Sequence, residues 1–377
     1  MSHFSELSEL NICSIECSTN IRGIVHDGCA ILWDIFGGRT ELRVQLPQAV
    51  SAATWLTGQD GTSLGFVAGC KNGKFYIYGR KGNGWDEFYQ VPGSEQGIIE
   101  ELAWDPTHRR LAVASAGQVK VFRVDLSNNA TLEEWTPSRP ATPRFVSFVN
   151  KGKDLLVGYL QTQELCYYRL APMTLQWSNI LPTRIGHAVL AGDDRHLIIY
   201  NLATGVDLYE LPVLPGSSPS QSFPFGASLH TISLVASAKQ GEIIVCGGPG
   251  GRMNVFNQTT GQRIATLPVG PSSEFIQVVA VQKARTIGSR TVLAAGCKSD
   301  KQITVKVWEC SEKTAVGVTV RVKGGKWTRF FLLFGLFFLV PFLAFILFLV
   351  LVTGVTLYRV VRQTEAERLL ELIVSGL

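Results

Sequence analysis

From residue 10 to residue 323 the chain alternates short apolar runs with turns of Gly, Asn, Asp and Pro, and hardly any helical period interrupts them. The pattern predicts strands. The most distinctive strand ends on an aromatic residue: CAILWD at Trp33, KFYIYG at Tyr78, VKVFRV at Phe122, ELCYYR at Tyr168, VDLYEL at Tyr209, RMNVFN at Phe256 and TVKVWE at Trp308. Successive anchors are 45, 44, 46, 41, 47 and 52 residues apart, which predicts seven copies of one unit. Most copies share an interior in which an apolar strand, a turn and the aromatic-ended strand follow one another, as in GFVAGCKNGKFYIYG and RRLAVASAGQVKVFRV. The boundaries are least sharp in the fifth copy, over 184–222.

The pattern changes inside TVRVKGGKWTRFFLL, residues 319–333. Alternation at Val316, Val318, Val320 and Val322 predicts the outer strand of the seventh unit. From Phe330 to Leu357 there are then 28 residues without a charge. As a helix this run is about 42 Å long, against roughly 30 Å of bilayer hydrocarbon, so it is expected to span a membrane with tilt. Trp327 and Tyr358 bracket it, and Lys326, Arg329, Arg359 and Arg362 flank it, all of them residue types that favour the membrane interface. Pro341 is expected to kink the helix, and no functional polar group inside the run suggests a transport path. The expected organisation is therefore a strand-repeat domain over 1–323, a basic juxtamembrane linker over 324–329, a transmembrane helix over 330–357 and a short tail over 358–377. In the tail, Leu369, Leu370, Leu372 and Ile373 suit a short amphipathic helix, the plainer alternative being a surface-lying or fraying tail.

A unit of about 45 residues with these strands resembles the WD-repeat β-propeller, in which each repeat forms a four-stranded blade. One blade has two apolar faces and cannot bury them alone, whereas seven in a ring bury each other and leave short edges. The resemblance covers 10–323 and implies an all-β fold, a seven-bladed β-propeller followed by a single transmembrane α-helix. It extends to architecture more than signature. Trp33-Asp34 is the one Trp-Asp pair at the family's position, with Trp308-Glu309 near it, while Trp85-Asp86 and Trp104-Asp105 fall elsewhere in their repeats. Gly186-His187 is the one Gly-His pair and stands in a different context. PVLPGSSPSQSFP, in the fifth repeat, is expected to form a loop on the rim or a face, where propellers often carry binding elements.

Charge and cysteine usage refine the setting. The net charge is +5, and the stretch from Lys313 to Arg329 alone holds five basic residues and no acidic one. The remainder is neutral, so composition gives no case for nucleic-acid binding. The basic cluster, including Lys323, Lys326 and Arg329, suits anionic headgroups on a cytosolic leaflet, and it outweighs the three basic residues after the run. The opening segment MSHFSELSELNICSIE has no continuous apolar stretch and is not expected to be a signal peptide. Together these predict a tail-anchored, single-pass protein of the endoplasmic reticulum or another endomembrane, its propeller cytosolic. The eight scattered cysteines agree, reading as small buried hydrophobes in a reducing compartment. Sequons at Asn129 and Asn257 report the opposite orientation if glycosylated.

Candidate chemistry is sparse. Gly61-Thr62-Ser63-Leu64-Gly65 has the spacing of a nucleophile elbow, but it precedes a strand with no helix after it and reads as a turn. Gly247-Gly248-Pro249-Gly250-Gly251 lacks the helix that a phosphate cradle needs, and reads as a hairpin turn. Asp193-Asp194-Arg195-His196 reads as a solvated turn before the strand HLIIY. The six histidines show no metal-ligand spacing, so no catalytic residue, metal or cofactor is expected. The terminal Ser-Gly-Leu lacks the basic middle residue of a peroxisomal address.

These observations predict a non-enzymatic scaffold that recruits soluble cytosolic proteins to a membrane. With seven residues from Lys323 to Arg329, the tether reaches at most roughly 25 Å. A long flexible insert between Gly324 and Gly325 is then expected to preserve folding and insertion while weakening recruitment. The alternative is a guanine-nucleotide exchange factor for a small coat GTPase, because the overall plan resembles the exchange-factor family that starts COPII coat assembly at the endoplasmic reticulum. That family carries a glycine-rich, ion-binding loop early in its propeller. STNIRGIVHDGCAI occupies the nearest place here and transfers no functional residue.

Overall fold

A computed structural model describes residues 12–17, 21–26, 28–34, 39–81, 84–91, 97–125, 129–226, 231–238, 242–282, 291–299, 302–310 and 315–323. The chain divides into two compact units, Met1–Lys323 and Gly324–Leu377. The expected linker, transmembrane helix and tail, with Lys326, Trp327, Arg329, Tyr358, Arg359 and Arg362, lie outside the described residues. Among the described residues, no helix is long and apolar enough to cross a membrane.

The first unit is all β. Its strands, in chain order, are β1 (Ile12–Cys17), β2 (Ile21–His26), β3 (Cys29–Asp34) and β4 (Arg39–Gln45), then β5 (Val50–Thr57), β6 (Ser63–Cys70), β7 (Phe75–Lys81) and β8 (Gly84–Val91). They continue with β9 (Ile99–Asp105), β10 (Arg110–Ser115), β11 (Gln118–Asp125), β12 (Asn129–Trp135), β13 (Pro143–Val149), β14 (Asp154–Tyr159), β15 (Glu164–Arg169) and β16 (Thr174–Ile180). The remainder are β17 (His187–Leu190), β18 (His196–Tyr200), β19 (Gly205–Glu210), β20 (Gln221–Pro224), β21 (Val235–Ala238), β22 (Ile243–Gly247), β23 (Arg252–Asn257), β24 (Arg263–Pro268), β25 (Val278–Gln282), β26 (Thr291–Ser299), β27 (Gln302–Cys310) and β28 (Ala315–Lys323). Among the described residues they form seven four-stranded sheets, each a run of four consecutive strands in sequence order. Every pairing is antiparallel, so each sheet is a meander that needs only short turns.

The aromatic-ended segments occupy the third strand of every sheet: β3, β7, β11, β15, β19, β23 and β27. Their side chains explain the period. Tyr78 is buried in a cluster shared with the first sheet, Phe122 with the second, Tyr168 with the third, Tyr209 with the fourth, Phe256 with the fifth and Trp308 with the sixth. Each described anchor therefore faces the preceding sheet, as one of several side chains that fill the interface. The side chain of Trp33 lies outside the described residues.

A further cluster joins the first sheet to the seventh, through Cys29 and Ile31 against Val278, Ala280, Val292 and Val305. β1 lies against both β5 and β25. The ring thus closes by side-chain packing between two sheets, and among the described residues no strand is exchanged between the ends of the unit. Polar ties reinforce other interfaces: Trp104 Nε1 donates to the Thr57 carbonyl at 2.8 Å, the Met173 N–H to Glu134 at 3.0 Å and Lys306 Nζ to the Pro268 carbonyl at 2.9 Å.

At the anchor, the outer strand carries a bulge in five of the seven sheets, with Glu41, Phe88, Glu133, Gln176 or Ile264 as the extra residue. Bulges raise local twist and interrupt the edge that an outer strand would otherwise offer to another chain. In the third sheet the bulge residue Glu133 is held by Arg110 at 2.8 Å and also by Arg123. The fifth sheet departs most from the pattern. Its first and last strands have four residues each, and a ten-residue connection, 211–220, replaces part of the outer strand, which is why the repeat boundaries are blurred over 184–222.

Candidate functional site

Three places in the first unit gather polar or exposed side chains: the turns on one face, the central channel and the rim. On the face that carries the first-to-second strand turns, acidic residues bond to their own turns. Asp105, almost fully buried, accepts the N–H groups of Thr107 and His108 at 3.0 and 3.3 Å and lies 2.7 Å from His108 Nδ1. Asp193 likewise accepts the N–H groups of Arg195 and His196 and meets the His196 ring. This is the turn role expected of Asp193-Asp194-Arg195-His196. Gly61 sits in a turn, its N–H donating to the Gly58 carbonyl at 2.8 Å, and Ser63 begins β6, so the Gly-x-Ser-x-Gly segment is a hairpin entry. Gly247 ends β22, and Gly248 to Gly251 connect it to β23.

The channel is a cavity of about 860 Å³ lined by the inner strands β5, β9, β13, β17, β21 and β25. Its charged groups tie neighbouring sheets together. Arg144 Nη1 on β13 meets Glu100 Oε2 on β9 at 2.8 Å. His187 Nδ1 on β17 accepts the Val235 N–H of β21 at 3.2 Å, while its Nε2 lies 3.6 Å from Glu101 Oε2 on β9. A ring nitrogen that accepts a backbone N–H carries no proton, so the imidazole is neutral with its proton on Nε2, facing Glu101. Burial, aided by the Arg144 guanidinium, pushes the His187 pKa down to about 3. Burial also raises the Glu100 pKa, partly offset by Arg144. Among the described residues no group of three or more His, Cys, Asp or Glu side chains is placed to hold a metal ion. The channel relay, Arg144 with Glu100 and His187 with the Val235 N–H beside Glu101, involves the inner strands of four consecutive sheets.

The rim differs, because it leaves apolar groups in solvent. Of the large apolar side chains exposed among the described residues, Leu132 and Trp135 lie on β12, Leu175 and Ile180 on β16 and Ile264 on β24, all outer strands. Trp135 is 56% exposed and Ile180 71%. They end the outer strands of successive sheets, and Arg139, in the connection after β12, pairs with Glu164 of β15. On the side of the fifth sheet, Asn179 Nδ2 donates to the Val213 carbonyl and so fixes the connection 211–220 beside the end of β16. Leu214 on that connection is 64% exposed. Trp135, Ile180 and Leu214 are thus exposed on three successive sheets.

The fold is a β-propeller. Neither a protein-family model nor a curated protein sequence matches the chain. Among solved structures, the β-propeller domain of Cps50 (Swd1) from Myceliophteria thermophila is similar, with a TM-score of 0.62 and 13% identity, covering 81% of this chain and 99% of that one. At that identity the likeness shows a WD-repeat-like fold alone, and 1352 solved chains share it, so it selects no function.

The aromatic anchors were the sequence's structural residues, and six of the seven have described side chains, all in inter-sheet clusters. Sequence reasoning missed the channel relay, because Glu100, Glu101, Arg144 and His187 lie on three strands and share no local spacing. It pointed to the Pro/Ser loop for binding and missed Trp135 and Ile180, since alternation predicts which residues leave the core but not which outward faces line up.

Proposed function

We propose that the chain is a seven-bladed propeller that serves as a non-enzymatic interaction scaffold, taking soluble protein partners along its rim. The observation that carries this reading is the exposure of Trp135, Ile180 and Leu214 on three successive sheets. Aromatic and aliphatic groups left at the edge of a rigid scaffold are the usual anchors of a protein interface. Seven sheets and seven inter-sheet clusters support the blade number. The apolar run 330–357 and the basic cluster before it support a membrane anchor with the propeller cytosolic. The exchange-factor alternative rests on the order of segments, and no described residue favours it.

Two measurements on the full chain test the halves separately. Proximity labelling is expected to lose its soluble partners in the triple variant Trp135→Glu, Ile180→Glu, Leu214→Glu while far-UV circular dichroism stays unchanged. An unchanged partner set in a folded variant would remove the rim from the account. Protease digestion of intact vesicles is expected to degrade the propeller, with Asn129 and Asn257 unglycosylated. A protected, glycosylated propeller would reverse the orientation.

A further inference from the structure

Three dipeptides in the chain place a hydroxyl residue before proline: Thr136-Pro137, Thr142-Pro143 and Ser218-Pro219. The structure treats them differently. Thr136 is 0% exposed; its Oγ1 accepts the Val119 N–H at 2.9 Å, and its own N–H and carbonyl are bonded to Val119 and to the Gln118 side chain. Thr142 is clamped by the hairpin between β14 and β15. Its N–H and Oγ1 bond the Gln161 amide at 2.6 and 2.9 Å, and its carbonyl accepts the Leu160 N–H at 2.9 Å. Neither can enter another protein's cleft without unfolding the edge of a sheet.

Ser218 is exposed, and its hydroxyl bonds to no described residue. It stands near the end of the connection 211–220, which is ordered by bonds at both ends. The Leu211 N–H donates to the Arg195 carbonyl at 2.8 Å, and the Ser220 N–H and Oγ reach the Leu208 carbonyl at 2.8 and 3.0 Å. Between these points a turn closes from the Ser217 N–H to the Leu214 carbonyl at 3.1 Å, with Gly216 at φ +74° and open space where a Cβ would stand. A residue before proline is held extended, and proline offers no N–H, so the segment presents its hydroxyl on an extended backbone.

From this geometry we infer that Ser218 is a phosphorylation site for a proline-directed Ser/Thr kinase, and that its phosphate closes the rim to an apolar partner. In the reaction Ser218 Oγ attacks the γ-phosphorus of Mg-ATP. The new O–P bond forms as the bond to the β-phosphate oxygen breaks, ADP leaves, and the hydroxyl proton passes to the kinase's catalytic carboxylate. The product carries about −1.5 to −2 charges at neutral pH. They stand four residues from Leu214, on the loop bonded to the end of the strand that bears Ile180. Desolvating a dianion against apolar groups is unfavourable, which is the basis of the switch. The second half of the inference rests on the rim reading proposed above; the site itself does not.

The test is incubation of the folded full chain with a cyclin-dependent-type kinase and Mg-ATP, followed by phosphopeptide mapping. One phosphate is expected, at Ser218, lost in Ser218→Ala and slowed in Pro219→Ala, with Thr136 and Thr142 modified only after denaturation. A folded chain that stays unlabelled at Ser218, or is labelled instead at Thr136 or Thr142, overturns the site. Partner labelling that is equal for the phosphorylated and unphosphorylated chain overturns the switch. Loss of partners in Ile180→Glu with Ser218 still phosphorylated keeps the rim and the site as separate findings.

Discussion

Single side chains in this propeller divide into those that hold sheets together and those that meet solvent. Phe256 belongs to the first group, packed against Phe223 and Phe225 with ring centroids 5.4 and 6.1 Å away. Phe256→Ala removes this packing from the interface of the fifth and sixth sheets and is expected to cost about 3–5 kcal/mol, read as a fall in the denaturant midpoint of the full chain. Its place was legible in the sequence, because an aromatic at the end of a strand, repeated at nearly constant spacing, has few explanations besides the core. His187 was not legible, since its role depends on Glu101, Arg144 and the Val235 N–H arriving from three other strands. Its pKa, about 3 instead of the ordinary 6.5, makes a sign-definite prediction. The unfolded chain takes up the proton first, so His187 contributes fully above about pH 6.5, and its contribution falls as pH drops from there toward 3. Unfolding titrations should show that His187→Gln flattens the acid limb over that window, where one such group adds up to about 1.4 kcal/mol per pH unit. A limb of unchanged slope would mean that the imidazole is charged in the fold.

Elements were legible wherever they recur and blurred wherever connections replace them. The third strands announced themselves through their anchors, but the inner strands, such as β9 with IEELAWD, alternate less cleanly because one of their faces lines a polar channel. Tight hairpins explain part of the regularity. Ala116 and Gly117 join β10 to β11 with φ values of +49° and +74°, a two-residue turn whose twist suits the strands it links. Beside that hairpin, the end of β12 is fastened by Thr136, whose hydroxyl accepts the buried Val119 N–H at 2.9 Å. Thr136→Val keeps the shape and deletes the acceptor, and the orphaned N–H is expected to cost about 1–3 kcal/mol. Thr136→Ser should retain most of the stability. Faster amide exchange at Val119 in the valine variant alone is the corresponding local readout, and equal exchange in both variants would show that the hydroxyl is idle.

At the scale of the whole molecule, the spacing of the anchors foretold a ring, because identical two-faced sheets have no other way to cover both faces. Spacing could not foretell how the ring closes. Closure by Cys29 and Ile31 against the seventh sheet involves residues about 250 to 280 positions apart in sequence. Nor could it foretell that Trp135, Ile180 and Leu214 are left exposed on the third, fourth and fifth sheets. The last described strand ends at Lys323, paired with Gln302, and the basic linker begins one residue later. If recruitment depends on a short tether, a flexible insert between Gly324 and Gly325 should weaken partner labelling while vesicle association persists. The central claim, that partners are taken at the rim and not at the channel, is tested most directly by photocrosslinking. A photoreactive residue is placed in the full chain at Ile180, or at Lys151, which is exposed at the channel mouth. The account predicts discrete crosslinks to soluble protein from position 180, lost when Leu214→Glu is added, and none of these from position 151. Crosslinks from position 151 with none from position 180 would contradict it.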